Sequence, residues 1–138
     1  MRAIRLSPAE TARTGVIAAL AASAGAHGAL VPAHLVEEPR LGVAFAVAAI
    51  LAVAASVMLA MRPSGVAVWA AALLFAGLIA AYAINVTTGL PWLSDGTEPV
   101  DAVGLATKAA EAIGLSLALH LTLTTGGRRS LLPTEARP

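Results

Sequence analysis

Long apolar stretches alternate with short polar ones along the whole chain. Four largely uncharged stretches cover about residues 15–31, 41–61, 66–86 and 101–123. Each is close to the ~20 residues that an α-helix needs to cross about 30 Å of hydrocarbon. Helices are expected because an open strand in lipid would leave backbone amides unpaired. The pattern predicts an all-α fold, an integral membrane bundle of four transmembrane helices.

The polar stretches divide the rest of the chain. We predict an N-terminal segment over residues 1–14, a transmembrane domain over residues 15–124 and a disordered polar tail over residues 125–138. Prolines are expected between the spans, where a missing backbone N–H does least harm. The prolines placed there are Pro32, Pro39, Pro63, Pro91 and Pro99.

Composition strengthens the membrane interpretation. Of 138 residues, 58% are hydrophobic and 12% are charged, against about 25% charged residues in an average soluble domain. A soluble domain of this size exposes too large a share of its surface to hide so many apolar side chains. The absence of cysteine excludes disulfides and thiolate metal sites. A net charge of +1 gives no indication of a nucleic-acid partner, and none is expected. The expected partner is the lipid bilayer, because it can cover the apolar side chains.

The distribution of charge predicts the orientation. The two loops after the first and third spans are acidic, with Arg40 as their one basic residue. Because basic residues concentrate on the cytoplasmic side, both termini are predicted to be cytoplasmic, in a multi-pass protein of the plasma membrane. Seven of the nine basic residues lie on that side: Arg2, Arg5, Arg13, Arg62, Arg128, Arg129 and Arg137.

Two alternatives stay open for the first span. Pro32 could bend the helix and so decide whether His27 and His34 approach each other. The stretch also resembles a secretory signal, and cleavage after Ala26 would make His27 a new N-terminus suited to copper.

Histidines and carboxylates gather towards the predicted outer face. His34 and Glu37 are three residues apart, as are Glu98 and Asp101, so each pair can share one face of a helical turn. If the two acidic loops meet, nitrogen and oxygen ligands suited to Cu or Zn would lie together. The alternative is that the acidic residues set topology and cap helices. The predicted metal ligands are His27, His34, Glu37, Glu98 and Asp101.

Ionisable residues also fall inside the fourth span. Lys108 and Glu111 are three residues apart, and Glu111 lies about 15 Å from Asp101 along the helix axis. An unpaired charge at that depth is costly, so they are expected to pair with each other or with His27 or Asn85. Asn85, Lys108 and Glu111 are therefore predicted to form either an ion or proton relay or a polar clamp between helices.

A set of positions spread from the first span to the fourth forms a recognisable pattern: His27, His34, Glu37 or Glu38, Gly42, Phe45, Gly89-Leu90-Pro91, Glu98, Asp101 and Glu111. In these positions the chain resembles a largely uncharacterised group of small four-span membrane proteins found mainly in actinobacteria. The resemblance covers about residues 15–123 and implies the four-helix membrane fold. Asn85-Val86-Thr87-Thr88 and Trp92-Leu93-Ser94 depart from the group's pattern.

Three functions are compatible with these features. The leading hypothesis is a non-enzymatic membrane protein whose outward-facing polar site handles a metal ion or a small cation. The second is a structural subunit that packs against a membrane protein partner or a second copy through small-residue helix faces. The third is a membrane enzyme that acts on a lipid or a quinone, with Glu111 or His27 as acid or base.

Overall fold

The structure, a computed structural model, describes residues 7–94 and 96–129. Its four helices confirm the all-α prediction, and each is long and apolar enough to cross a membrane. A multi-pass membrane protein is therefore the architecture that the fold supports. The helices are α1 (Pro8–Glu37), α2 (Pro39–Met61), α3 (Gly65–Thr87) and α4 (Ala102–Arg129).

Helix α1 is longer than the sequence predicts at both ends. It begins at a capping box, in which the Ser7 side chain accepts from the Glu10 amide and the Glu10 carboxylate accepts from the Ser7 amide. It ends at Glu37, so the placement of Pro32 between spans is wrong. Pro32 removes one backbone hydrogen bond, and the flanking turns still complete the helix.

A sharp corner joins α1 to α2. Glu38 is the one residue between the two helices, and Pro39 is the first residue of α2 rather than part of a loop. Proline suits that position because its missing N–H is unneeded in the first turn of a helix. A Cβ on Gly42 would stand 2.5 Å from the Leu35 backbone nitrogen, so the corner requires glycine.

At its other end the chain stays helical further than expected. Helix α4 continues to Arg129, into the segment predicted to be a disordered tail. The remainder of that predicted tail, residues 130–138, lies outside the described residues, as do residues 1–6 of the N-terminal segment.

The helices pack closely in the half of the bundle that holds the start of α1. Helix α1 lies against α2 and α4, and α3 lies against α4 and α2. The core there combines a few large side chains with many alanines, which let membrane helices approach closely. Gly114 shows how closely, since a Cβ on it would stand 2.6 Å from Phe75 Cε2 and 2.8 Å from Ala19 Cβ.

The opposite half, called here the loop end, contains the α1–α2 corner and the segment between α3 and α4. The large core side chains include Leu20, Leu59 and Phe75. Among the described residues, none of them comes from the part of α1 after His27 or from the start of α4. The helices are therefore tightly packed at one end and leave space between them at the loop end.

Candidate functional site

The two acidic loops meet at the loop end. Glu98 Oε1 lies 3.2 Å from His34 Nε2, and Arg40 Nη1 donates to the Trp92 carbonyl at 3.3 Å. The other ring nitrogen of His34, Nδ1, faces the Leu30 carbonyl at 2.9 Å. Both ring nitrogens of His34 therefore face oxygen atoms. His34 and Glu98 thus tie the end of α1 to the segment before α4.

A structured turn after α3 holds Glu98 in place. Gly89 and Trp92 have positive φ angles of 76° and 66°, which glycine adopts readily and tryptophan seldom does. The Ser94 hydroxyl lies 3.3 Å from Asn85 Oδ1 and donates to the Gly96 carbonyl at 2.9 Å. The Asn85 carbonyl accepts from the Glu98 amide at 3.4 Å. Asn85 therefore orders this segment from α3.

A cavity of about 660 Å³ opens between the helices beneath this tie. Its volume is within the range of small-molecule pockets. The walls are mainly apolar, from side chains such as Leu30, Leu41, Phe45 and Leu78. Four carboxyl-bearing residues, Glu37, Glu38, Glu98 and Asp101, border it, and Lys108 and His27 line its deeper part. An apolar chamber with a polar, acidic entrance suits an amphipathic ligand.

A polar cluster closes the inner end of the cavity. Glu111, fully buried, has one carboxylate oxygen 2.5 Å from Lys108 Nζ and accepts from the Ser23 hydroxyl at 2.7 Å on the other. His27 Nδ1 faces the Ser23 carbonyl at 2.8 Å and lies 4.0 Å from Glu111 Oε1. Lys108 Nζ also donates to the Leu78 carbonyl at 3.3 Å. This cluster links α1, α3 and α4 at the boundary between the packed core and the cavity.

The predicted metal site receives little support from this geometry. Phe45 contacts the rings of both His27 and His34, with centroid distances of 5.6 and 4.6 Å. Among the described residues, no group of three or more His, Asp or Glu side chains is arranged to hold a metal ion. Asp101 Oδ1 accepts from the Gly104 amide at 2.6 Å, which is the bond of a helix cap. Of the predicted ligands, the structure joins His34 and Glu98 directly.

The predicted intramembrane residues divide into two groups. Lys108 and Glu111 lie together, and His27 stands beside them. Asn85 makes its side-chain contact with Ser94 at the loop end instead. The expectation that Asn85 pairs with the buried charges therefore has no support, because its position on α3 places it nearer the turn.

Sequence reasoning missed three residues of the site. Ser23 stands four residues before His27, so the two share a helix face, and that spacing was a usable signal. Phe45 was one of the positions that carry the family resemblance, and the resemblance implied no role for it. Tyr82 packs against Gly104, and its ring lies 5.5 Å from Lys108 Nζ. No sequence spacing joins α3 to α4 in this way.

The described residues of the site place charged and polar side chains beside a mainly apolar cavity. The Ser23 hydroxyl is fully buried and hydrogen-bonded to Glu111, so it is not exposed to the cavity as a nucleophile would be. Comparisons of the chain with family models, curated proteins and solved structures find no match.

Proposed function

We propose that this protein binds an amphipathic organic cation in the cavity at the loop end. In this proposal it is a multi-pass protein of the plasma membrane, with both termini cytoplasmic and the cavity opening to the outside. The asymmetric distribution of arginine supports that orientation.

Charge around the cavity is the observation that carries the proposal. Lys108, the one lysine on its wall, already pairs with Glu111, so the ammonium is neutralised. Glu98 lies 3.2 Å from the His34 ring. The carboxyl groups of Glu37, Glu38 and Asp101 remain, and no described residue forms a salt bridge with them. A cavity with apolar walls and uncompensated carboxylates at its border attracts cations.

Glu38 gives this attraction a definite target. Its Oε2 atom is buried and has no hydrogen-bond partner among the described residues, and the residue lines the cavity. A buried carboxylate oxygen without a partner is costly, and a bound cation would remove that cost.

The apolar walls argue for an organic cation rather than a bare metal ion. A metal ion needs several converging ligand atoms, and the described residues offer no such group. The volume and the leucine-rich wall instead suit an alkyl or aryl body attached to the charge.

The test is binding of three probes that share one tail and differ in charge: hexylammonium, hexanol and hexanoate. Titration calorimetry on protein in lipid nanodiscs, with empty nanodiscs as the control for partitioning, should show saturable binding of hexylammonium alone. Glu38→Gln should weaken it about five- to tenfold, since one nearby carboxylate is worth on the order of 1 kcal/mol. Glu10→Gln, at the other end of α1, is the matched control and should leave affinity unchanged.

Two results would overturn the proposal. One is binding of hexanol as tight as that of hexylammonium. The other is stoichiometric Cu or Zn in protein purified without a His-tag, lost in the His34→Ala, Glu98→Ala variant. That second result would favour a site for a metal ion over a site for an organic cation.

A second candidate is a membrane enzyme or carrier for an uncharged amphipathic ligand such as a quinone or lipid. The observation in its favour is that His27, with Nδ1 committed to the Ser23 carbonyl, lines a mainly apolar cavity. In the same titration it predicts binding of hexanol, and loss of that binding in His27→Phe.

A further inference from the structure

The ammonium group of Lys108 occupies a complete binding site for a primary amine. Its Nζ lies 2.5 Å from Glu111 Oε2, donates to the Leu78 carbonyl at 3.3 Å and stands 5.5 Å from the centre of the Tyr82 ring. Carboxylates, carbonyls and aromatic faces all bind ammonium ions in proteins. All three come from residues outside the lysine itself.

This site is held in shape without help from Lys108. The second oxygen of Glu111 accepts from the Ser23 hydroxyl at 2.7 Å, which fixes the carboxylate. The Leu78 carbonyl belongs to the backbone of α3, and Tyr82 is wedged against Gly104, where a Cβ would stand 3.0 Å from the ring. A ligand amine that replaced the lysine would therefore meet the same groups in the same positions.

The site also belongs to the cavity. Lys108, Leu78 and Tyr82 all line it, and the Lys108 side chain is 14% exposed. An amine that enters from the loop end thus reaches the ammonium position along the cavity wall. The route passes the carboxylates at the entrance and ends at Glu111.

We infer that the inner end of the cavity is a primary-ammonium subsite, which Lys108 fills in the free protein and the ligand amine fills on binding. The inference rests on the proposed function, and it names the ligand's head group as a primary amine. On binding, the Lys108 ammonium moves away from Glu111 into the cavity that its side chain lines. The amine of the ligand therefore takes the position that the ammonium group of Lys108 occupies in the free protein.

Geometry makes the subsite selective for primary amines. Glu111 and the Leu78 carbonyl need N–H donors, which a quaternary ammonium lacks. A trimethylammonium group is also too wide to approach the carboxylate as closely as Lys108 does. Hexylammonium should therefore bind wild type at least about tenfold more tightly than hexyltrimethylammonium, a difference of about 1.4 kcal/mol.

Chemical rescue tests the subsite directly. Lys108→Ala removes the side chain beyond Cβ and leaves a channel that n-propylammonium matches in length and charge. Added n-propylammonium should raise the Tm of the variant in mild detergent by about 3 °C or more, through binding to the folded state. If the variant accumulates poorly, supplying the amine during expression and purification should raise its yield.

Three controls separate rescue from a general solvent effect. Lys108→Met fills the channel and should not respond to the amine. Lys108→Ala combined with Glu111→Gln removes the carboxylate and should lose the response. Propanol and tetramethylammonium, which lack either the charge or the N–H donors, should leave Lys108→Ala unchanged.

The outcomes distinguish this inference from the function on which it rests. Absence of rescue, or equal response to tetramethylammonium, overturns the subsite even where wild type binds hexylammonium at the entrance carboxylates. Rescue together with loss of head-group selectivity in Glu111→Gln supports it. Rescue without any binding of hexylammonium to wild type overturns the ligand role and makes the subsite an anchor for Lys108.

Discussion

The buried ion pair between Lys108 and Glu111 should make stability depend on both partners at once. Glu111 is fully buried and Lys108 is half-buried, and the Ser23 hydroxyl donates a hydrogen bond to the carboxylate oxygen that does not face Lys108. The decisive perturbation is a pair of single substitutions, Lys108→Met and Glu111→Gln, with their combination. Each keeps the approximate volume of the side chain, so packing changes little and charge is what is removed.

The two single substitutions should not cost the same. Lys108→Met leaves the Glu111 carboxylate with Ser23 as its remaining donor and no contact with solvent, so a loss of about 3 kcal/mol is expected. Glu111→Gln costs less, about 1–2 kcal/mol, because the amide oxygen still accepts from Ser23 and Lys108 faces the cavity. The neutral double variant should lie within about 1 kcal/mol of wild type, since no uncompensated charge is left. The single costs are therefore non-additive by roughly 3 kcal/mol.

Reversible unfolding in mixed micelles, followed by circular dichroism, measures these free energies. Ala109→Met, at a neighbouring exposed position on α4, controls for the introduction of methionine and should have no effect. Additive costs in the double variant would refute the reasoning, because they would mean that the two charges do not stabilise each other. A Lys108→Met cost below about 0.5 kcal/mol would refute it as well, since that is the size of a surface substitution.

Two further predictions concern packing and the loop end. Gly114→Ala should destabilise the bundle by about 1–3 kcal/mol, because the new Cβ meets Phe75 and Ala19. Gly77→Ala on α3 is the control and should not destabilise it, because its new Cβ meets nothing within 4 Å. Equal Tm values for the two variants would contradict this prediction. Glu98→Gln should speed amide hydrogen exchange over residues 89–94 and 96–100 while changing Tm by little, because a partly exposed pair contributes at most about 1 kcal/mol. Exposed Glu37→Gln is its control, and unchanged exchange in Glu98→Gln would show that the tie to His34 does not hold the segment.

Hydrophobic length was sufficient to predict the helices and insufficient to predict where α1 ends. A stretch of about 20 apolar residues can hardly be satisfied by anything but a helix in lipid, and each predicted span contains a helix. Pro32 was misplaced because a proline is a strong stop signal in water, where the freed carbonyl can bond to solvent. Here α1 continues through it to Glu37, and the His34 ring nitrogen Nδ1 lies 2.9 Å from the Leu30 carbonyl across the proline turn.

The site was predictable where it depended on one helix and unpredictable where it depended on several. The spacing of Lys108 and Glu111 pointed to a local pair, and the cost of a charge in lipid made that pair necessary. The contact between Ser23 and Glu111 joins residues 88 positions apart. It follows from the crossing of α1 and α4, which hydropathy does not specify. The same applies to Phe45, whose position beside both histidine rings depends on the α1–α2 corner.

The placement of large and small side chains explains why the polar cluster stands where it does. Large core residues such as Leu20 and Phe75 fill the bundle on one side of the cluster, while glycine at position 114 lets α4 approach closely there. On the other side the cavity begins. Glu111 lies at this boundary, fully buried yet one side chain away from the cavity through Lys108. A carboxylate used merely as a clamp could be buried anywhere in the core; its position at the end of the chamber is what a ligand-exchange role requires.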